Sequence, residues 1–414
     1  MSVGETEDSH ASASRRPGRS VAILAGEASG DAYGAMLATV LRRRDPNLSI
    51  WGLGGARMHA AGVQIVADSR DSAAIGVFNA LRVIPKLRFR VYPALCRELQ
   101  RRRPDLVVPI DFGAFNVPMA RRCRELGLRV LYYLPPGSWR RDGPLPCRLA
   151  RITDRIATQF PWSSDRLAAA GADPEFVGHP ILDLITDRCD EGTLLKEAGL
   201  SPGNGLVALL PGSRSAELRE NVPAIARAAV LVHRTMPGLR FIIALAPGTD
   251  CERVEKLARP LLGLRDGMGQ PIAGSIQGYT HELLRHAQAG LVCSGTATLE
   301  AAILGMPMVV LYRGSLLMYA EYIVRGLSRL KYISLPNIIA QETIVPELIA
   351  RDATPEAMAH HLLALLQDPD RAGTMREQLS RVRESLGSPG ATRRTADMVM
   401  AMLDGAGGSS DGKV

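Results

Sequence analysis

Several short segments of the 414-residue chain combine small residues with groups that bind anions or move protons. Gly26-Glu-Ala-Ser-Gly-Asp31 follows an apolar run and holds two carboxylates, Glu27 and Asp31, with the hydroxyl of Ser29 between them. Small residues admit a ligand to the backbone, and the helix that follows offers free N–H groups to an anion. A capped strand-to-helix turn, with Ser29 or Asp31 as N-cap, explains the same residues. Leu210-Pro-Gly-Ser-Arg214 can shape a turn for oxyanions, with Arg214 neutralising a phosphate. Glu217 could instead pair with Arg214 along one helix face. In Ser294-Gly-Thr-Ala-Thr-Leu-Glu300, Ser294 and Thr296 can hydrogen-bond phosphate at a helix N-terminus. Glu300 can accept two vicinal hydroxyls, as a ribose presents them; a helix cap formed by Thr296 with Glu300 near by serves equally. Asn337 in Ser334-Leu-Pro-Asn337 can fix an amide-like or uracil-like edge, or simply close a turn. Trp51-Gly-Leu-Gly-Gly55 is expected to be a plain Gly-rich turn, and His179, beside Pro180, to bond backbone rather than act as a base.

The composition is globular, with 46% hydrophobic and 22% charged residues, and excludes a disordered or fibrous chain. The length suits two domains. A net charge of +8 favours a phosphate-bearing or otherwise acidic partner. Without aromatic interleaving or a recognised module, nucleic acid ranks last among such partners. Six cysteines without CxxC spacing read as reduced thiols, and no HExxH occurs, so neither disulfides nor a metal is expected. Residues 1–19 lack an apolar leader core and read as a disordered tail, as does the Gly/Ser-rich stretch 405–414.

Elements that could position these groups alternate along the chain. Strands are predicted at Val21–Ala25, Leu48–Leu53, Asp105–Ile110, Arg129–Leu134, Arg155–Phe160 and Glu175–Gly178, with a helix near 33–44. The pattern restarts at Gly205–Leu210 and continues at Leu239–Leu245, Ala289–Cys293 and Pro307–Tyr312, after a polar linker around 185–203. Strand–helix alternation implies parallel sheets with helices on both faces, here two doubly wound α/β domains facing a cleft. Ligands bind such sheets beyond the carboxyl ends of the strands, where the segments above fall. The expected organisation is a first domain over 20–188, a second over 189–350 and C-terminal helices over 351–404.

Taken together, Gly26–Asp31, Gly52–Gly55, Val177-Gly-His-Pro180, Leu210–Arg214, Ser294–Glu300 and Leu335-Pro-Asn-Ile338 resemble, in order and spacing, the lipid-A-disaccharide synthases, from about Val21 to Leu403. The resemblance implies the GT-B fold of two Rossmann-like domains. It implies an inverting, metal-independent glycosyltransferase without cofactor. Such an enzyme joins UDP-2,3-diacylglucosamine to 2,3-diacylglucosamine 1-phosphate through a β-1,6 linkage and releases UDP. It places Arg214, Ser294, Thr296, Glu300 and Asn337 around the UDP of the donor, and Glu27 and Ser29 near the reacting sugars.

The first half departs from the family pattern. Where relatives read Ile-Asp-x-Pro-Asp-Phe-Asn, this chain reads Ile110-Asp-Phe-Gly-Ala-Phe-Asn116, so the family's candidate base is replaced by Ala114. The block Ser-Pro-x-Val-Trp-Ala-Trp-Arg is Pro135-Pro-Gly-Ser-Trp-Arg-Arg-Asp142, and the usual Pro-Phe-Glu is Pro161-Trp-Ser163. Substitute bases are Asp111, Glu27 and Asp142. A changed lipid acceptor, or a non-catalytic nucleotide-sugar-binding relative, are the alternatives.

The segment 75–90 mixes apolar residues with cations and is followed by Arg97 and Arg101–Arg103. It is expected to contact an anionic membrane surface, as the matching region does in the resembled family, although an amphipathic core helix has the same pattern. The implied partners are a UDP-sugar donor, a lipid acceptor, the membrane surface and a second copy in a homodimer. The expected location is the cytoplasm, on the inner face of the cytoplasmic membrane.

Overall fold

The computed structural model describes residues 18–68, 87–137, 145–185, 189–313 and 331–406. The apolar runs form two wholly parallel sheets. The first contains β1 (Ser20–Ala25), β2 (Ser49–Gly54), β3 (Gln64–Asp68), β4 (Leu106–Ile110), β5 (Leu131–Tyr133), β6 (Arg155–Thr158) and β7 (Pro174–Phe176), in the order β3-β2-β1-β4-β5-β6-β7. The second contains β8 (Gly205–Leu210), β9 (Leu239–Leu245), β10 (Ala273–Gln277), β11 (Ala289–Cys293), β12 (Met308–Tyr312) and β13 (Glu347–Ile349), in the order β10-β9-β8-β11-β12-β13. Central strands such as Val21-Ala-Ile-Leu-Ala25 have no exposed residue, because helices cover both faces and alternation is not needed. Strands β3, β10 and β13 escaped the sequence reading. All three lie at sheet edges, where half-buried polar residues dilute the apolar signal.

Strand order reverses between β1 and β4 in the first sheet and between β8 and β11 in the second. These switch points are where crevices open and ligands bind. The helices that shape the crevices are α1 (Ala28–Arg44), α2 (Ala56–Ala60), α3 (Gly113–Glu125), α4 (Ser215–Thr235) and α5 (Thr296–Ile303), with α6 (Ala391–Ala406) closing the chain. One face of the first sheet packs on α1 and α6 through Leu37, Leu41, Val399 and Leu403. The other packs on α3 and the helices Tyr92–Arg102 and Leu145–Ile152 through Leu95, Leu99, Cys123 and Leu149.

Two expectations about these elements are corrected. Helix α1 starts at Ala28 rather than near 33, so Ser29 and Asp31 lie inside it and neither caps it; Glu27 is the N-cap position, with no capping bond from its side chain. Trp51–Gly54 belongs to β2, and a Cβ at Gly52 would lie 1.9 Å from the Ile23 carbonyl oxygen, so this glycine serves a close strand contact. The last helix returns to the first domain's layer. Asp183 accepts N–H bonds from Gly390 and Thr392, Arg394 donates to the Val177 carbonyl, and Arg44 pairs with Asp397 at 2.7 Å. Gly405 and Ala406 are helical, and Arg19 pairs with Asp404; of the two expected tails, 1–17 and 407–414 fall outside the described residues.

Candidate functional site

The cleft is built around the end of β4. Asp111 and Phe112 follow that strand with φ of 44° and 46°, both in the left-handed region. Side chains there cost on the order of 1 kcal/mol each, and such strain survives only where neighbours enforce it. The enforcement is visible. Asn116 Nδ2 lies 3.0–3.1 Å from the carbonyl oxygens of Leu24, Ile110 and Asp111, tying the ends of β1 and β4 together. Tyr132 donates its hydroxyl to the Asp111 carbonyl at 2.9 Å. The Phe112 ring lies over Gly26, where a Cβ would come within 2.1 Å of it.

This turn presents Asp111 at the floor of the crevice. Its side chain is reached by solvent, yet protein crowds it on every other side. That crowding, reinforced by the nearby negative charge of Glu27 and opposed by the Phe112 N–H, pushes its pKa up to about 7. Tyr33 on α1 lies in the same field: burial raises its hydroxyl well above the usual value, with Glu300, Tyr133 and Asp111 contributing. Glu300 comes from the other domain, on α5. Burial raises its pKa, and the Arg57 guanidinium on α2 holds it down. Thus Glu27, Tyr33, Arg57 and Asp111 of the first domain face Glu300 of the second.

Other predicted site residues prove to be scaffold. Asp31 is buried and accepts N–H bonds from Gly55, Arg57 and Met58 at 2.6–3.1 Å, so its carboxylate holds the start of α2 and with it Arg57. Asn337 is fully buried. Its Oδ1 accepts from the Ile344 and Val345 amides, and its Nδ2 donates to the Val345 carbonyl and to Glu347. The expected direct contact of Asn337 with a nucleobase is therefore corrected: every polar valence is already used, and the residue shapes the loop instead. Glu347, which the sequence reading missed, also accepts from the amides of Ile333 and Ser334 and the Ser334 hydroxyl. His179 sits at the interdomain crossover, buried and pushed down to about 3 by that burial; its Nδ1 accepts from the Ile181 amide.

On the second domain, Arg214 makes the helix pair that the spacing allowed, 2.5 Å from Glu217, whose other oxygen accepts the Ser213 and Arg214 amides. The Arg214 side chain is still 48% exposed, so it can reach a ligand as well. Ser294 donates to the Ile333 carbonyl at 3.2 Å, which joins its loop to the one braced by Glu347. Thr296 is exposed on the first turn of α5, Gly295 is its N-cap, and no atom lies within 4 Å of a Cβ built on Gly295. The expected Thr296 cap is absent; Thr298 bonds the Gly295 carbonyl at 2.7 Å instead. Ser29 is half-buried on the first turn of α1, and Ala114 is exposed at the start of α3. Asp142 lies outside the described residues, as does 75–86 of the membrane segment. Among the described residues no three His, Cys, Asp or Glu side chains gather as a metal-ligand set.

The family model for lipid-A-disaccharide synthetase matches residues 21–401, which include both crevices. The chain belongs to the lipid-A-disaccharide synthase family. A lipid-A-disaccharide synthase from Syntrophus aciditrophicus is 37% identical over 386 residues, covering 92% of this chain and 97% of that protein. One from Geobacter metallireducens is 37% identical over 389 residues, covering 94% and 98%. Among solved structures, the calicheamicin glycosyltransferase CalG4 superposes with a TM-score of 0.59 at 16% identity, covering 95% of this chain and all of that one. A UDP-N-acetylglucosamine 2-epimerase from Neisseria meningitidis, bound to UDP-GlcNAc, gives 0.58 at 13% identity, covering 92% and 100%. The architecture is GT-B, and as a lipid-A-disaccharide synthase the protein is a glycosyltransferase of lipid A biosynthesis.

Proposed function

We propose that the enzyme transfers 2,3-diacylglucosamine from UDP to the 6-hydroxyl of 2,3-diacylglucosamine 1-phosphate, and that Asp111 takes the hydroxyl proton. The carrying observation is the strained, braced turn that offers Asp111 to the crevice with a pKa near 7. A base with that pKa is half ionised at neutral pH and still strong enough to accept a proton in the transition state. The oxygen attacks the anomeric carbon, the bond to the diphosphate breaks with inversion, and UDP leaves. Glu27 sits beside Asp111 and sharpens its basicity. Arg214, the Ser213 turn and the amides of α5 with Thr296 meet the diphosphate, whose charge grows as the bond breaks. Glu300 accepts the ribose hydroxyls, while Ser294 and Asn337 hold the loops that frame the base.

The test is product analysis by mass spectrometry with both diacyl sugars, and calorimetry with UDP. Asp111→Asn is expected to lower kcat by about 100-fold or more while UDP still binds. Ala114 favours a second reading, in which the protein binds nucleotide sugar without turnover. Absence of the disaccharide product, with UDP bound, would establish that reading and remove Asp111 as base.

The same proposal has the first domain rest on the inner face of the cytoplasmic membrane. Phe89 is 75% exposed, Arg90 is beside it, and Arg97, Arg101 and Arg103 follow on the exposed side. No described helix is long and apolar enough to cross a bilayer. Sedimentation with anionic but not zwitterionic vesicles, weakened in Phe89→Asp, is the expected outcome. A homodimer belongs to this proposal, and light scattering at twice 44.6 kDa would be its signature.

A further inference from the structure

A trough of about 580 Å³ opens beside the crevice, between α1, α2 and the start of α6. Ala35, Met36 and Val40 form one wall and Ala60 and Ala61 the other, with Arg57 and Arg393 at the rims. The wall residues are the outer edge of the first domain's core and are only partly covered. Some of the polar groups there are paired, although the buried Thr392 hydroxyl is not. Thr39 donates its hydroxyl to the Ala35 carbonyl at 2.8 Å, and the Asp183 carboxylate takes the Gly390 and Thr392 amides. An occupant therefore finds apolar surface along the trough and hydrogen-bond donors at its ends. The lining is mostly apolar surface. It fits a hydrocarbon chain that carries its polar head at one end.

The trough shares one residue with the site. Arg57 lines it and also acts on Glu300 across the crevice. We infer that this trough holds one acyl chain of a diacylglucosamine substrate, with Arg57 between the chain and the sugar. The inference rests on the diacyl-sugar reading above. An acyl chain outside the bilayer needs such a surface, since each buried methylene is worth about 0.8 kcal/mol.

The experiment uses the full chain and two probes, a UDP-diacylglucosamine and a diacylglucosamine 1-phosphate, each with a diazirine at an acyl terminus. Labelling requires binding alone. The expected result is cross-linking within 35–40 and 60–61, and the probe that labels tells whether donor or acceptor owns the chain. Labels confined to other surfaces, or no label from either probe, overturn the inference. A protein that labels in the trough but makes no disaccharide retains the inference and loses the transferase reading. Thr39→Phe and Ala60→Phe, two partly exposed positions, fill the trough from opposite walls. The ratio of kcat/KM for long-chain over short-chain substrates should fall on the order of tenfold in both, equivalent to about two buried methylenes. This ratio is internal to each preparation and does not depend on how much protein is folded. An unchanged ratio in both variants overturns the inference.

Discussion

At the scale of single residues, Asp111 couples activity to stability in opposite directions. An unfolded aspartate ionises near pH 4, while the folded one does so near 7. Between those values the folded state holds the extra proton, so ionising Asp111 weakens the fold as pH rises through this window. With Asp111 as the proposed base, activity should rise over the same range, with an acid limb of kcat/KM near pH 7. Asp111→Asn should abolish that limb with the activity, and raise stability at pH 8 by about 1 kcal/mol, a figure reduced because solvent reaches the carboxylate. Urea titrations at pH 5 and 8 check this: the gain over wild type must be larger at pH 8. Residue type identified Asp111, Glu27 and Glu300 as chemical groups. It could not separate them from Asp31 and Asn337, which are equally polar and equally near glycine-rich turns, because partners rather than type decide what a carboxylate or amide does.

At the scale of elements, the two crevices use the same device. Asn116-Val-Pro118 on α3 clasps the ends of β1 and β4; Asn221-Val-Pro223 on α4 clasps the second sheet, donating to the Pro211 carbonyl and the Cys293 sulfur. Both asparagines are fully buried. Asn116→Ala would free carbonyls of two strands, for which a loss of about 2–3 kcal/mol is expected in chemical denaturation. A smaller change in the same turn should reach catalysis instead. In Gly26→Ala the new methyl would displace the Phe112 ring, and Asp111 with it. Its kcat should fall at least tenfold, an ångström-scale misplacement effect, while UDP affinity, which the proposal assigns to the second domain, stays level. The sequence displayed the repeated Asn-Val-Pro and the lone Gly26, but their meaning depended on which strand ends lay within reach.

At the scale of the whole molecule, the site exists only between the domains. Burial raises the Glu300 pKa, and Arg57, from the opposite domain, counters that. Arg57→Gln should therefore raise the Glu300 pKa further. On the proposed role of the Glu300 carboxylate as acceptor of the ribose hydroxyls, UDP affinity in that variant should fall more at the lower of two pH values than at the higher; calorimetry at both decides it. An equal loss at both would mean that Arg57 contacts the ligand rather than tuning Glu300. Arg57 carried no signal in the sequence. It is an ordinary arginine after a glycine pair, and only the Asp31 carboxylate holding the start of α2 aims it at the cleft. The sequence by itself determined the two parallel sheets, since continuous apolar runs can be buried only between helical layers, and it determined the family through the order of its loops. The tertiary structure alone decided which polar groups are spent on scaffold and which remain open, and that α6 returns to the first domain. Hydrogen-bond valence and apolar burial are settled by neighbours distant in the chain, and local spacing carries no record of them.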